Sequence, residues 1–149
     1  AVAGMHVRVA GPQGFLPRAD ILADAQRIAA ENGGSILVTT DPREAVHDAD
    51  CVFTDTWVSM GEESEYQLRS KPFVPYQVND ELMQLAKPTA LFQHCLPAYR
   101  GKEVTASVID GPQSVVWDEA ENRLHAQKAV LTWLIAQQRD DASLLAGIA

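Results

Sequence analysis

The chain has 149 residues, 46% of them apolar and 21% charged, the composition of one ordinary globular domain rather than a disordered segment. A net charge of −8 argues against a nucleic-acid partner, whose footprint is a basic stripe. No stretch approaches the roughly 18 consecutive apolar residues of a membrane span, so no membrane partner is expected.

The amino end, AVAGMHVRVA, lacks the basic region and long apolar stretch of a signal peptide. It reads as the last turn of a helix entering a strand, so the chain is expected to begin inside a fold. The first strand is predicted from His6 to Ala10. A helix follows, with Ile21, Ala25, Ile28 and Ala29 on one face and a stop at Gly33-Gly34. Further strands are expected from Ser35 to Thr39, Cys51 to Thr54, Ala90 to Gln93 and Ser114 to Trp117. All five are short, continuous apolar runs, the pattern of strands covered on both faces. Asp41-Pro42 supplies an N-cap followed by proline at the first helical position. Asn79 caps a helix carrying Leu82, Leu85 and Ala86 that ends before Pro88. A last helix should run from about Glu119 to Gln138, with Leu124, Leu131, Leu134 and Ile135 on one stripe, before a tail expected to fray after Arg139.

Repeated strand–helix–strand order predicts an α/β fold of Rossmann-like type, a doubly wound parallel sheet with helices on both faces. Residues 59–78 break the pattern. They are polar, contain Pro72 and Pro75, and lack a clear period; loops of that length are functional lids or disordered. Cys51 opens one apolar run and Cys95 follows another. In parallel strands they would sit about 15 Å apart at roughly 3.3 Å per residue, so no disulfide is expected and a reduced, cytoplasmic setting follows.

In an open parallel sheet, ligands bind at the carboxyl ends of the strands. Three predicted strands end there in polar chemistry: Asp55-Thr56-Trp57-Val58-Ser59-Met60-Gly61, His94-Cys95-Leu96-Pro97-Ala98 and Asp118-Glu119-Ala120-Glu121-Asn122-Arg123. Asp55 with Ser59 could hold a ligand ammonium, or Asp55 could cap its own turn. Cys95 could be a nucleophile or acid–base group if its pKa is lowered, or a small buried hydrophobe. Pro97 could aim the carbonyls of Cys95 and Leu96 inward. Arg123 could clamp an oxyanion, or pair on the surface with Glu119 or Glu121. His6, His47, His94 and His125 show no HxxxH spacing and there is no CxxC, so no metal is expected. GxGxxG is absent, and no nucleotide cofactor is expected.

Together these segments resemble the carboxyl-terminal domain of ornithine carbamoyltransferases over nearly the whole chain. DTWVSMG resembles the family's DxWxSMG motif, HCLPA its HCLP motif, and WDEAENRLHAQKAVL its last helix. Aspartate-specific relatives lack the SMG segment and carry a different triplet at His94-Cys95-Leu96. The resemblance implies that Asp55 and Ser59 hold the ornithine α-amino group and the backbone N–H of Met60 its carboxylate. It implies a mobile loop after Met60, Cys95 beside the ornithine side chain, the carbonyls of Cys95 and Leu96 on the carbamoyl NH₂, and Arg123 on carbamoyl phosphate. It also implies a preceding domain with a Ser-Thr-Arg-Thr-Arg phosphate loop, a central first strand that this chain lacks, and a homotrimer whose sites borrow residues from a neighbour. The chain alone is therefore expected to be inactive. The alternatives are a carbamoyltransferase for another amine, such as putrescine, or a non-catalytic amino-acid-binding module.

Overall fold

The computed structural model describes residues 1–58 and 70–139. In chain order the elements are β1 (His6–Ala10), α1 (Ala19–Glu31), β2 (Ser35–Thr39), α2 (Pro42–Val46), β3 (Cys51–Thr54), a 3₁₀ helix (Lys71–Tyr76), α3 (Asp80–Met83), β4 (Leu91–His94), α4 (Ala106–Ile109) and α5 (Val116–Arg139). The α/β class, parallel strands and first three strand boundaries agree with the sequence expectation, and β4 lies one residue later than expected.

The helix ends follow local chemistry. Asp41 accepts from the Arg43 N–H, and Asn79 accepts from Leu82 N–H at 2.9 Å. Past α1, Gly33 takes φ +76° and Gly34 N–H bonds Ala29 O, a left-handed stop that glycine adopts without a Cβ penalty. Leu22 rather than Ile21 lies on the covered face of α1 with Ala25 and Ala29, while Ile21 faces out. The helix begun by Asn79 is shorter than expected. Leu85 and Ala86 follow it through i→i+3 bonds to Leu82 and Met83.

The strands form two parallel pairs. In one, His6 stands opposite Ser35 and Ala10 opposite Thr39; in the other, Cys51 stands opposite Leu91 and Thr54 opposite His94. Among the described residues β1 and β3 do not pair with each other, and a cavity of about 340 Å³ lies between them, bounded by Arg8 and Ala10 on one side and Cys51 to Thr54 on the other.

The fifth predicted strand is a correction. Ser114 makes only an isolated bridge to Phe92, flanked by Phe92 N–H to Gln113 O and Val115 N–H to Phe92 O. Val116 and Trp117 instead open α5, whose first turn carries Asp118 and Glu119, carboxylates that suit the positive end of a helix. The core gathers around β3 and β4, with Val52, Phe92, Val104, Ile109 and Val116 at its centre. The expected apolar stripe of α5, Leu124, Leu131, Leu134 and Ile135, is exposed. Among the described residues no helix is long and apolar enough to cross a membrane.

Candidate active site

The parallel register of β3 and β4 determines what meets at their carboxyl ends. Thr54 is opposite His94, so the next residues, Asp55 and Cys95, leave the sheet side by side. The Cys95 thiol donates to Asp55 Oδ1 at 3.1 Å, across 40 positions of sequence. The same oxygen accepts from the Thr56 backbone N–H at 2.6 Å, so Asp55 does cap its own turn. That role does not exhaust the carboxylate, because Oδ2 makes no hydrogen bond with a described residue.

The electrostatics of this pair are unequal. Burial works against ionisation of Asp55, but the hydrogen bonds from Cys95 and Thr56 outweigh it, and the carboxyl lies below its ordinary value. Burial, the hydrogen bond to Asp55 and the charge on that carboxylate push the Cys95 thiol up to about 11. Cys95 is thus an exposed, protonated donor, neither the buried hydrophobe nor the lowered-pKa nucleophile weighed from the sequence.

Beyond Cys95 the chain turns sharply. Leu96 sits at φ 54°, a left-handed conformation rare for a branched side chain, and precedes a cis bond to Pro97. The Leu96 N–H donates to His94 Nδ1 at 2.9 Å, and the side chain packs against the core. His94 is buried at 1% exposure, and so is Glu103. His94 Nε2 lies 3.3 Å from Glu103 Oε1, an ion-pair distance, although it makes no aligned hydrogen bond. Glu103 Oε1 accepts from Tyr99 N–H at 2.5 Å, and Glu119 Oε2 accepts from His94 N–H at 3.1 Å. The sequence reading missed Glu103. It follows Arg100-Gly101-Lys102 in a polar run and looks like an ordinary surface charge.

Arg123 is exposed on α5 and makes no ion pair with a described residue. The surface pair considered for it is not formed. Glu119 is bound to the end of β4, and Glu121 faces His125 at 3.6 Å. Nor do the described contacts bring Arg123 to Asp55 or Cys95. Ser59, Met60 and the loop after them lie outside the described residues. The cavity between β1 and β3 extends to Asp55, Thr56 and Trp57, with Phe73 and Tyr76 also lining it. Among the described residues no group of three or more His, Cys, Asp or Glu is placed to hold a metal ion.

Residues 1–134 match the family described as aspartate/ornithine carbamoyltransferase, Asp/Orn binding domain. The ornithine carbamoyltransferase of Bifidobacterium longum subsp. infantis is 82% identical over 98% of this chain and 46% of its own length. That of Leifsonia xyli is 63% identical over 94% of this chain and 45% of its own. Among solved structures, ornithine carbamoyltransferase from Pyrococcus furiosus superposes with a TM-score of 0.81 at 55% identity, covering 86% of this chain and 41% of that one. An acetylornithine transcarbamylase complexed with acetylcitrulline matches with a TM-score of 0.73 at 32% identity, covering 85% of this chain and 39% of that one. The chain thus spans less than half the length of the relatives it matches. With the match running through both strand-end motifs and into α5, the chain belongs to the aspartate/ornithine carbamoyltransferase family, within its Asp/Orn-binding domain.

Proposed function

We propose that this chain is the L-ornithine-binding half of an ornithine carbamoyltransferase, which moves the carbamoyl group of carbamoyl phosphate to the ornithine δ-amine and releases citrulline and phosphate. The observation that carries the proposal is the contact between Asp55 and Cys95 at the ends of neighbouring strands, in a chain 82% identical over 146 residues to an ornithine carbamoyltransferase. Asp55, ionised at neutral pH, offers Oδ2 to the α-ammonium, with Ser59 beside it and the Met60 N–H on the carboxylate. Cys95 serves as a neutral thiol next to the ornithine side chain; its proton and its link to Asp55 make it a positioning group rather than a nucleophile.

The chemistry needs this kind of site. An unperturbed side-chain amine has a pKa of about 10.4 and is mostly protonated, whereas attack requires the neutral form. A desolvated pocket favours that form and holds it near the carbonyl carbon. As the C–N bond forms, the carbonyls of Cys95 and Leu96 hold the carbamoyl NH₂. As the C–O bond to phosphate breaks, the proton given up by the δ-amine passes to the departing phosphate and pre-placed cations take up the remaining charge, Arg123 among them. Most of those cations belong to a carbamoyl phosphate domain outside this chain, and a homotrimer in the cytoplasm is the setting we propose. No cofactor enters the scheme.

The test is citrulline formation by the enzyme that contains this chain, measured with ornithine, N-acetylornithine and putrescine in parallel. Ornithine should exceed the other two in kcat/KM. A preference for putrescine or N-acetylornithine would overturn the substrate assignment, and no carbamoyl transfer to any of them would overturn the reaction. The 149-residue chain alone should form no citrulline. In a titration followed by amide NMR, ornithine and not aspartate should shift residues 55–61 and 94–98.

A further inference from the structure

We propose that His94, supported from beneath by Glu103, is a positioning residue for carbamoyl transfer that acts by holding Leu96 in its left-handed conformation. The inference rests on the ornithine carbamoyltransferase reading above and adds to it a residue pair without an assigned role. Both residues are at 1% exposure, against a core cluster of valine, leucine, isoleucine, methionine, phenylalanine and alanine. Polar groups are buried at that depth only when something compensates, and the hydrogen bonds show what they do.

The direction of one bond determines the state of the ring. Leu96 N–H donates to His94 Nδ1 at 2.9 Å, so Nδ1 presents a lone pair and the proton resides on Nε2. Nε2 faces Glu103 Oε1 at 3.3 Å, and that oxygen also accepts from Tyr99 N–H. The two side chains therefore connect both ends of the Cys95–Ala98 turn, one through Leu96 and the other through Tyr99. Glu119 anchors the backbone of His94 from α5. What this holds in place is an otherwise unfavourable φ of 54° at Leu96. Release of that angle would rotate the peptide planes on either side of Leu96, and with them the carbonyls of Cys95 and Leu96 that receive the carbamoyl NH₂. Catalysis depends steeply on such placement: a shift of about 1 Å can lower a rate by about a hundredfold.

The test compares two replacements in the enzyme containing this chain. Asparagine places its Oδ1 where Nδ1 was and keeps an acceptor for Leu96 N–H, whereas glutamine reaches towards Glu103 and loses that acceptor. His94→Asn should retain a kcat about tenfold above that of His94→Gln, with KM for ornithine within about threefold between them, because what is lost is carbonyl placement in the transition state. Equal kcat for the two variants, or a difference confined to KM, would overturn the proposal. Should either variant fail to fold, ¹⁵N spectra of the unsubstituted protein decide: His94 protonated at Nε2 alone supports the proposal, and a proton on Nδ1 overturns it. If the unsubstituted enzyme forms no citrulline, the carbamoyltransferase reading fails and this inference fails with it; if it is active but the variants are indistinguishable, only the role of His94 is lost.

Discussion

Asp55→Asn separates the charge of the carboxylate from its shape. Asparagine can keep Oδ1 as the acceptor for Thr56 N–H and for the Cys95 thiol, so both local bonds survive and the fold should lose less than about 1 kcal/mol. What disappears is the negative charge available to an ammonium at Oδ2. A hydrogen bond to a charged group contributes about 1.5–3 kcal/mol, and at about 1.4 kcal/mol per decade the affinity for ornithine should fall by about 10- to 150-fold. Carbamoyl phosphate, which on the proposed reading binds mainly outside this chain, should change by less than about threefold. The deficit should also be the same at pH 6 and pH 8. Asp55 lies below its ordinary value, so the carboxylate is present throughout that range and is lost only as pH falls through its lowered pKa. Calorimetric titration of each ligand into the enzyme containing this chain provides the numbers. Equal losses for ornithine and carbamoyl phosphate, or an ornithine deficit that vanishes at pH 6, would refute the assigned role.

Two further outcomes follow from the geometry. With its thiol at about 11, Cys95 should be only about a thousandth thiolate at pH 8, so alkylation followed by peptide mass spectrometry should be slow and should accelerate about tenfold per pH unit to pH 10; rapid labelling at pH 7 would contradict the donor role. Gly34→Ala should lower the melting temperature more than Gly33→Ala. A Cβ at Gly34 would meet Met5 O at 2.4 Å, a backbone atom that cannot swing aside, whereas Gly33 has open space and only its φ of +76° to oppose the change, about 1–2 kcal/mol. The reverse order would refute the contact.

Much of the architecture was legible because parallel strands buried among helices are written as continuous apolar runs, and β1, β2 and β3 begin and end where those runs do. The Ser114–Trp117 run failed for an identifiable reason. Val116 and Trp117 are taken into a helix, against the strand preference of a β-branched valine, because the next residues, Asp118 and Glu119, suit an N-terminus, and Phe92 makes only one bridge there. At the site, the segments around Asp55 and Cys95 stood out by motif. Their hydrogen bond did not, since it depends on the register that places Thr54 opposite His94. The protonation of Cys95 was hidden for the same reason: its pKa is raised by a partner 40 positions away. His94 appeared only as a neighbour of Cys95 and a discounted metal ligand, and Glu103 not at all. A charged residue in a polar run betrays its burial only once the turn that folds it under β4 is known.

The concentration of buried side chains around β3 and β4 has a mechanical consequence. Opening free energy is not spread evenly through such a molecule. The β1–β2 pair contributes no fully buried strand residue, so it can breathe away from the rest without uncovering Phe92 or Val116. Asp55, Cys95 and the His94–Glu103 pair all hang from the stiffer half. The Asp55–Cys95 pair is thereby insulated from excursions of the more pliant half, and β1–β2 is free to adjust to its surroundings while the geometry at the carboxyl ends of β3 and β4 stays fixed.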